Sequence, residues 1–338
     1  MKLIIQIPCL NEEETLPVTL ASLPRAVPGV DRVEVLVVDD GSTDGTVEAA
    51  RRLGVDHLIV LPSHQGLARA FMVGIETGLR LGADVIVNTD ADNQYDARDL
   101  ERLIAPILQG RADLVVGDRD VQAIGHFSTV KKLLHRLGDW FMERLAGIEL
   151  LDSTSGFRAY SREAALRLNT FSRFTYTLET LIQAGKKNLA VAHVRVGVNG
   201  KLRDSRLFPN LWVYLKRSAS TMVRIYALYE PLKFFSYLGG AVVAVGLVFL
   251  LRFFYYYVTI EGPTGHLQSL LVGTTLLAMG LFIGLIGVVS DVMAANRQLL
   301  EDVQYRLRKM EADRANVEEG NASARSEAGS FAAPGRKT

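Results

Sequence analysis

Asp90 and Asp92 stand one residue apart in NTDADNQY, directly after the apolar run DVIV. Two carboxylates so spaced on a turn at a strand end can reach one hard cation in oxygen-only coordination, and Gln94 supplies a neutral oxygen at the next alternate position. Mg²⁺ or Mn²⁺ is the natural occupant of such a set, keeping some waters and taking further oxygens from a substrate diphosphate. The same residues can also form an Asx-type turn with a helix cap, since Asp96 precedes a helical pattern at 98. Asp39 and Asp40 close the run VEVLVVD, where a carboxylate can accept from a base N–H or a ribose hydroxyl. The GSTDGT that follows is a turn and helix start, with Asp44 or Ser42 as cap. In NEEE, residues 11 to 14, Asn11 is placed to cap a helix with Glu14 three residues on, which leaves Pro8 and Glu12 to lie near a base or ribose. Arg119, Lys131, Arg158, Arg203 and Arg206 could hold a phosphate in line, although each is of a kind common on solvated surfaces.

These clusters sit where the elements would have to place them. Apolar, β-branched runs alternate with helical patterns: KLIIQIP, then 12 to 23; VEVLVVD, then 44 to 53; HLIVL, then 66 to 81; DVIVNTD, then 98 to 109; DLVVGD, then 129 to 146. Such alternation predicts βαβ units and a mostly parallel sheet covered on both faces, with ligands at the carboxyl ends of the strands. Five polar clusters at five strand ends make one shared site.

At 338 residues and 49% hydrophobic content the chain has ample material for a core. A formal net charge of +1 gives no global case for nucleic acid. The one cysteine, Cys9, excludes an internal disulfide and reads as a small buried residue. Residues 231 to 258 and 267 to 290 are each long and apolar enough to cross roughly 30 Å of hydrocarbon. Basic residues stand before or at the start of the first run (Lys216, Arg217, Arg224, Lys233) and follow the second (Arg297, Arg306, Arg308, Lys309), while the link EGPTGH has almost none. That asymmetry places both termini in the cytoplasm. Residues 208 to 230 suggest an amphipathic interfacial helix or an ordinary amphipathic helix packed on the soluble domain. Leu299, Val303, Leu307 and Met310 suggest a cytosolic helix over 291 to 315, too short a heptad run to establish a homo-oligomer. A tail from 316 to 338, rich in Gly, Ser, Ala and charge, is expected to be disordered.

Pro8 to Glu12, VVDDGSTDGT, DADNQ and SGFRAYSRE, in this order, resemble the family 2 glycosyltransferases, specifically the dolichol-phosphate mannose synthases and their bacterial polyprenyl-phosphate sugar synthase relatives. The resemblance covers about residues 1 to 230 and implies a Rossmann-like nucleotide-diphospho-sugar transferase domain (GT-A type, α/β) over 1 to 207, followed by the interfacial helix and two transmembrane helices. It implies base and ribose contacts at Pro8, Glu12 and Asp40, and a metal held by Asp90, Asp92 and Gln94, with Asp90 also on the nucleotide side and Asp92 in the catalytic set. Acceptor-phosphate contacts fall on Arg119, Lys131 and Arg203, and the SGFR turn, Ser155 to Arg158, reads as an acceptor-side loop that adds Arg158 to the candidates. Asp152, in LDSTSGFRAY, matches an acid proposed as base in some relatives and could instead orient an arginine or the acceptor. This chain departs from the family at His64-Gln65-Gly66, where Asn-x-Gly is usual, and at Asp118, where serine is usual. The Gln-x-x-Arg-Trp motif of processive synthases is absent.

The implied reaction is inverting, metal-dependent transfer of a hexose from a nucleotide sugar to a polyprenyl phosphate at the cytosolic face of the cell (inner) membrane. A UDP-sugar is favoured and GDP-mannose is the alternative. A non-catalytic nucleotide-binding membrane subunit and a transporter are the readings from other classes.

Overall fold

The computed structural model describes residues 1–119, 151–170, 176–200, 223–259 and 266–331, together with positions 138, 140, 143–144, 146–149 and 220; side chains are described as far as 314. The chain divides into two compact units, one of residues 1–204 with 303–338 and one of residues 205–302.

The first unit is built on a seven-stranded sheet in the order β3-β2-β1-β4-β6-β5-β7. Its strands are β1 (Lys2–Cys9), β2 (Arg32–Asp39), β3 (His57–Val60), β4 (Val85–Asn88), β5 (Leu114–Asp118), β6 (Arg158–Ser161) and β7 (Val191–Arg195). β1, β2, β3 and β4 pair in parallel, whereas β6 runs antiparallel to both β4 and β5. The mostly parallel α/β expectation holds, with β6 and β7 added to it. The runs LIIQIPC, VIVN and LVVGD are buried along their whole length, as strands covered on both faces must be.

Helices α1 (Leu16–Ser22), α2 (Thr46–Arg52), α3 (Leu67–Arg80) and α4 (Leu100–Leu108) connect the first five strands. A 3₁₀ turn at Ala97–Asp99 leads into α4, and the Asp96 side chain accepts from Arg98 N, so the cap expected there is present. α5 (Arg162–Arg167) and α6 (Thr177–Lys186) follow β6. β2 and β3 lie on one side of β1 and β4 on the other, so the loops leaving β1 and β4 diverge. The crevice between them is where such sheets take ligands.

Residues 303–314 pack on the same unit, on the face made by α3 and α5. Arg308 donates to Glu76 Oε1 at 2.7 Å and to the Leu168 carbonyl at 2.8 Å, and the Tyr305 hydroxyl meets Glu163 at 3.1 Å. Asn169 Nδ2 donates to Gln304 Oε1 at 2.7 Å, and Ala312 is buried.

The second unit contains α7 (Pro231–Thr259) and the first part of α8 (Leu267–Phe331), two helices long and apolar enough to cross a membrane. α8 is continuous, so the segment expected as a separate helix over 291–315 extends it, and helix continues into the range expected to be disordered. Of the proposed interfacial segment, residues 223–229 are helical and 208–219 lie outside the described residues. The two long helices approach through glycines at seven-residue spacing, Gly239 and Gly246 against Gly280 and Gly273. A Cβ on Gly280 would fall 2.7 Å from the Gly239 carbonyl, closer than real atoms sit. Gly280→Val should therefore lower the melting temperature in detergent by several degrees, whereas Gly240→Val, whose Cβ meets nothing within 4 Å, should leave it unchanged.

Candidate active site at the carboxyl ends of the strands

The loops after β1 and β2 are stapled to each other. Ser42 Oγ accepts from Asn11 N at 2.9 Å, Thr46 Oγ1 from Glu12 N at 2.8 Å, and Asn11 Oδ1 from Thr43 N at 2.8 Å. This corrects the capping expectation for Asn11: α1 begins only at Leu16, after Thr15, and Asn11 is spent on the neighbouring loop with a positive φ of 56°. Glu12 accepts from the Thr15 hydroxyl at 2.6 Å, and Pro8 is buried in β1. Cys9 is free and buried, and burial raises its thiol well above the usual range, which suits an inert core residue.

At the end of β2 the two aspartates have different work. Both oxygens of Asp40 are engaged: Oδ1 accepts from Gln65 N at 2.8 Å, Oδ2 from Gly66 N at 2.9 Å, and His64 Nδ1 lies 2.7 Å from Oδ2. Asp40, expected at the nucleotide, thus anchors the loop 64–66 that starts α3. That loop rides over Gly41, where a Cβ would stand 2.7 Å from His64 N. Asp39 is fully buried, accepts at Oδ2 from Gly41 N and Ser42 N, and leaves Oδ1 without a partner. A buried carboxylate oxygen with no donor is costly. Asp39 Oδ1 is closed to solvent, so Asp39 acts within the fold, and both acids stood at the same strand end in the sequence.

The turn after β4 is held from several sides. Asp92 Oδ1 accepts from Gln94 N at 3.1 Å, so the Asx turn and the metal reading coexist. Asn93 takes a positive φ of 54°, Thr19 Oγ1 donates to the Ala91 carbonyl at 2.9 Å, and Asn199 Nδ2 donates to the carbonyls of Asn93 and Tyr95. Asp90 is partly buried, and its carboxyl is pushed up to about 7. Burial is the largest cause and the charge of Asp92 the next, while Arg119 and the Tyr95 hydroxyl oppose the rise. Two hard carboxylates this close, one of them raised by the other, with the Gln94 amide beside them, fit a divalent cation. Among the described residues no third acidic, His or Cys side chain completes a cluster, which leaves coordination positions for substrate oxygens.

Beyond β5, Arg119 is clamped by Asp152. Nε donates to Oδ2 at 2.7 Å and Nη2 to Oδ1 at 3.0 Å, and Nη2 also reaches Thr154 Oγ1 at 2.8 Å. Asp152 is fully buried and the Arg119 side chain is 14% exposed, so the pair presents one edge of a guanidinium. The carboxylates around Arg119 and its neighbour Tyr95 raise its pKa against the pull of burial, and it is a permanent cation.

Arg158 requires correction. It was expected at the acceptor phosphate, but it is fully buried, donating to the carbonyls of Ser155, Thr177 and Ser153 and to Thr180 Oγ1 at 2.7 to 2.9 Å. All three guanidinium nitrogens are engaged, which makes it a clamp between the 153–155 turn and α6. Lys131, Arg203 and Arg206 lie outside the described residues.

The raised Asp90 sets a pH dependence. The folded state favours the protonated carboxyl, so its contribution to stability is full below about 3.8 and is lost as pH rises toward about 7. With a chelator present, Asp90→Asn should melt several degrees above the unsubstituted protein at pH 8, and the gap should shrink by pH 5; differential scanning fluorimetry reads both.

A family model described as glycosyl transferase family 2 matches residues 4–168. An undecaprenyl-phosphate mannosyltransferase of Micrococcus luteus is 38% identical over 47% of this chain and 66% of its own length. A polyprenol monophosphomannose synthase of Mycolicibacterium smegmatis is 34% identical over 49% of this chain and 64% of its own length. The match thus spans slightly less than two thirds of those two relatives. An uncharacterized glycosyltransferase of Mycobacterium tuberculosis is 32% identical over 60% of this chain and 91% of its own length. Among solved structures, glucosyl-3-phosphoglycerate synthase of Mycobacterium tuberculosis, in complex with Mn²⁺, UDP and glucosyl-3-phosphoglycerate, shares the fold. Its TM-score is 0.52 at 21% identity, over 67% of this chain and 78% of that one. The β-strand order, the acids at its carboxyl edge and these likenesses agree: the chain belongs to glycosyl transferase family 2.

Proposed function

We propose that the protein transfers a hexose from a nucleotide sugar to a polyprenyl phosphate, with inversion, at the cytosolic face of a membrane that α7 and α8 cross. The observation that carries this reading is the juxtaposition of an acidic centre, Asp90 and Asp92, with the Arg119 cation, close enough for Arg119 to act on the Asp90 carboxyl. A sugar diphosphate needs the first and an acceptor phosphate the second. The lipid acceptor is supported by the exposed apolar faces of α7 and α8 and by the acceptors in the names of the M. luteus and M. smegmatis relatives.

Asp90, Asp92 and Gln94 would hold Mg²⁺ or Mn²⁺, and the Mn²⁺ of the solved relative supports a divalent ion. When bound, the ion supplies Lewis acidity that neutralises charge on the departing diphosphate. Asp40, with Pro8 and Glu12, would lie by the base or ribose. The acceptor phosphate has a second ionisation near pH 6, by analogy with phosphorylated side chains, so it is largely a dianion and needs no strong base. Asp152, buried and bidentate with Arg119, serves better as a holder of that cation than as a proton acceptor. Lys131 and Arg203 remain proposed acceptor contacts. UDP-sugars are the first donor reading; the mannosyl relatives favour GDP-mannose as the second.

Incubating purified protein with undecaprenyl phosphate and radiolabelled UDP-hexoses or GDP-mannose should yield a labelled lipid from one donor and none after chelation. No labelled lipid with any donor would overturn the reading. Arg119→Lys, which cannot reproduce the bidentate geometry, should raise KM for the lipid phosphate at least tenfold, by roughly 1.4 kcal/mol or more, and KM for the sugar nucleotide far less.

A further inference from the structure

Tyr95 belongs to none of the charged sets, yet it touches each of them. It is 4% exposed, and its ring stacks on Phe157 with centroids 5.2 Å apart. The Arg119 guanidinium lies over the same ring, 5.9 Å from its centroid. Its hydroxyl accepts from Gly156 N at 2.8 Å. The backbone N–H of Gly156 can only donate, so the phenol oxygen is the acceptor that holds this glycine in place.

Gly156 closes the arrangement. A Cβ there would stand 2.7 and 2.8 Å from the two Asp90 oxygens, so the carboxylate rests directly on the glycine. The Gly156 carbonyl accepts from Asn88 Nδ2 at 2.9 Å, and the same amide donates to the Tyr176 hydroxyl at 2.8 Å. Tyr95 itself is fixed at its backbone by Asn199 Nδ2, at 2.9 Å from its carbonyl, and by a bridge to Val198. Both ends of the side chain and its main chain are thus determined by groups distant in sequence.

We propose that Tyr95 is a positioning residue: its hydroxyl fixes Gly156, on which the Asp90 carboxylate rests, for the divalent ion, while its ring seats Arg119, giving the donor and acceptor halves of the site one rigid support. The inference rests on Asp90 and Asp92 being metal ligands. Outer-shell partners of metal ligands are typically worth about 10- to 100-fold in metal affinity or activity. Tyr95→Phe removes the hydroxyl and keeps the ring, so the metal side should suffer and the acceptor side should not.

The test is electron paramagnetic resonance of Mn²⁺ titrated into the purified full chain, with UDP and GDP in separate arms. The unsubstituted protein should bind Mn²⁺ in at least one arm, Asp90→Asn should not, and Tyr95→Phe should bind about 10-fold more weakly. Phe157→Leu, which loosens the ring's packing and leaves the hydroxyl, should keep the unsubstituted affinity. In transfer assays Tyr95→Phe should need correspondingly more Mn²⁺ for half-maximal rate, with KM for undecaprenyl phosphate unchanged. Equal Mn²⁺ affinity in Tyr95→Phe and the unsubstituted protein would overturn the inference, as would an equal loss in Phe157→Leu. Absence of Mn²⁺ binding by the unsubstituted protein would overturn the metal reading and this inference with it.

Discussion

Two carboxylates brought to one strand end repel, and partial burial sharpens the repulsion because little water intervenes to screen it. Asp90 lives under that constraint, with Asp92 two residues away, Gly156 beneath it and Tyr95 beside it. Much of the surrounding structure serves to hold it there. The turn after β4 is tied to α1 through Thr19 and to residue 199 through Asn199, and the Gly156 turn is tied to β4 through Asn88. The cation proposed for this site would relieve a repulsion that folding has already imposed.

The two arginines near this centre show how differently one residue type can be used. Arg119 has a carboxylate partner and one accessible edge, so its charge is balanced and still available. Arg158 has carbonyl and hydroxyl partners on every nitrogen and no access to solvent, so its donors are consumed in holding the 153–155 turn. In a linear sequence both are simply arginines, and what separates them includes partners such as Thr177, 19 positions from Arg158, and Asp152, 33 positions from Arg119.

The alternation of strands and helices and the placing of acids at strand ends could be read directly, because periodicity and turn chemistry are local. The sheet's antiparallel insertion was hidden: β6 is four residues long, RAYS, and its pairing between β4 and β5 is a long-range choice. Asp39 and Asp40 could not be ranked, since what separates them is the loop 64–66 folding back on Asp40. Tyr95 went unnoticed for the same reason, its hydroxyl partner lying 61 residues onward in sequence. An aromatic immediately after DADNQ, at a buried position within a polar turn, was the one local hint.

The seating of residues 303–313 on α3 and α5 also has a temporal side. Arg308 and Glu76 are 232 residues apart in the chain, and Tyr305 and Glu163 are 142 apart. During synthesis at about 5 to 20 residues per second, the α3 surface waits on the order of 10 to 50 s for its partner. In that interval both long apolar helices have been made. The first unit therefore completes its own surface only after both long apolar segments have been made, so its last contacts form after nearly all the rest of the chain has been synthesised.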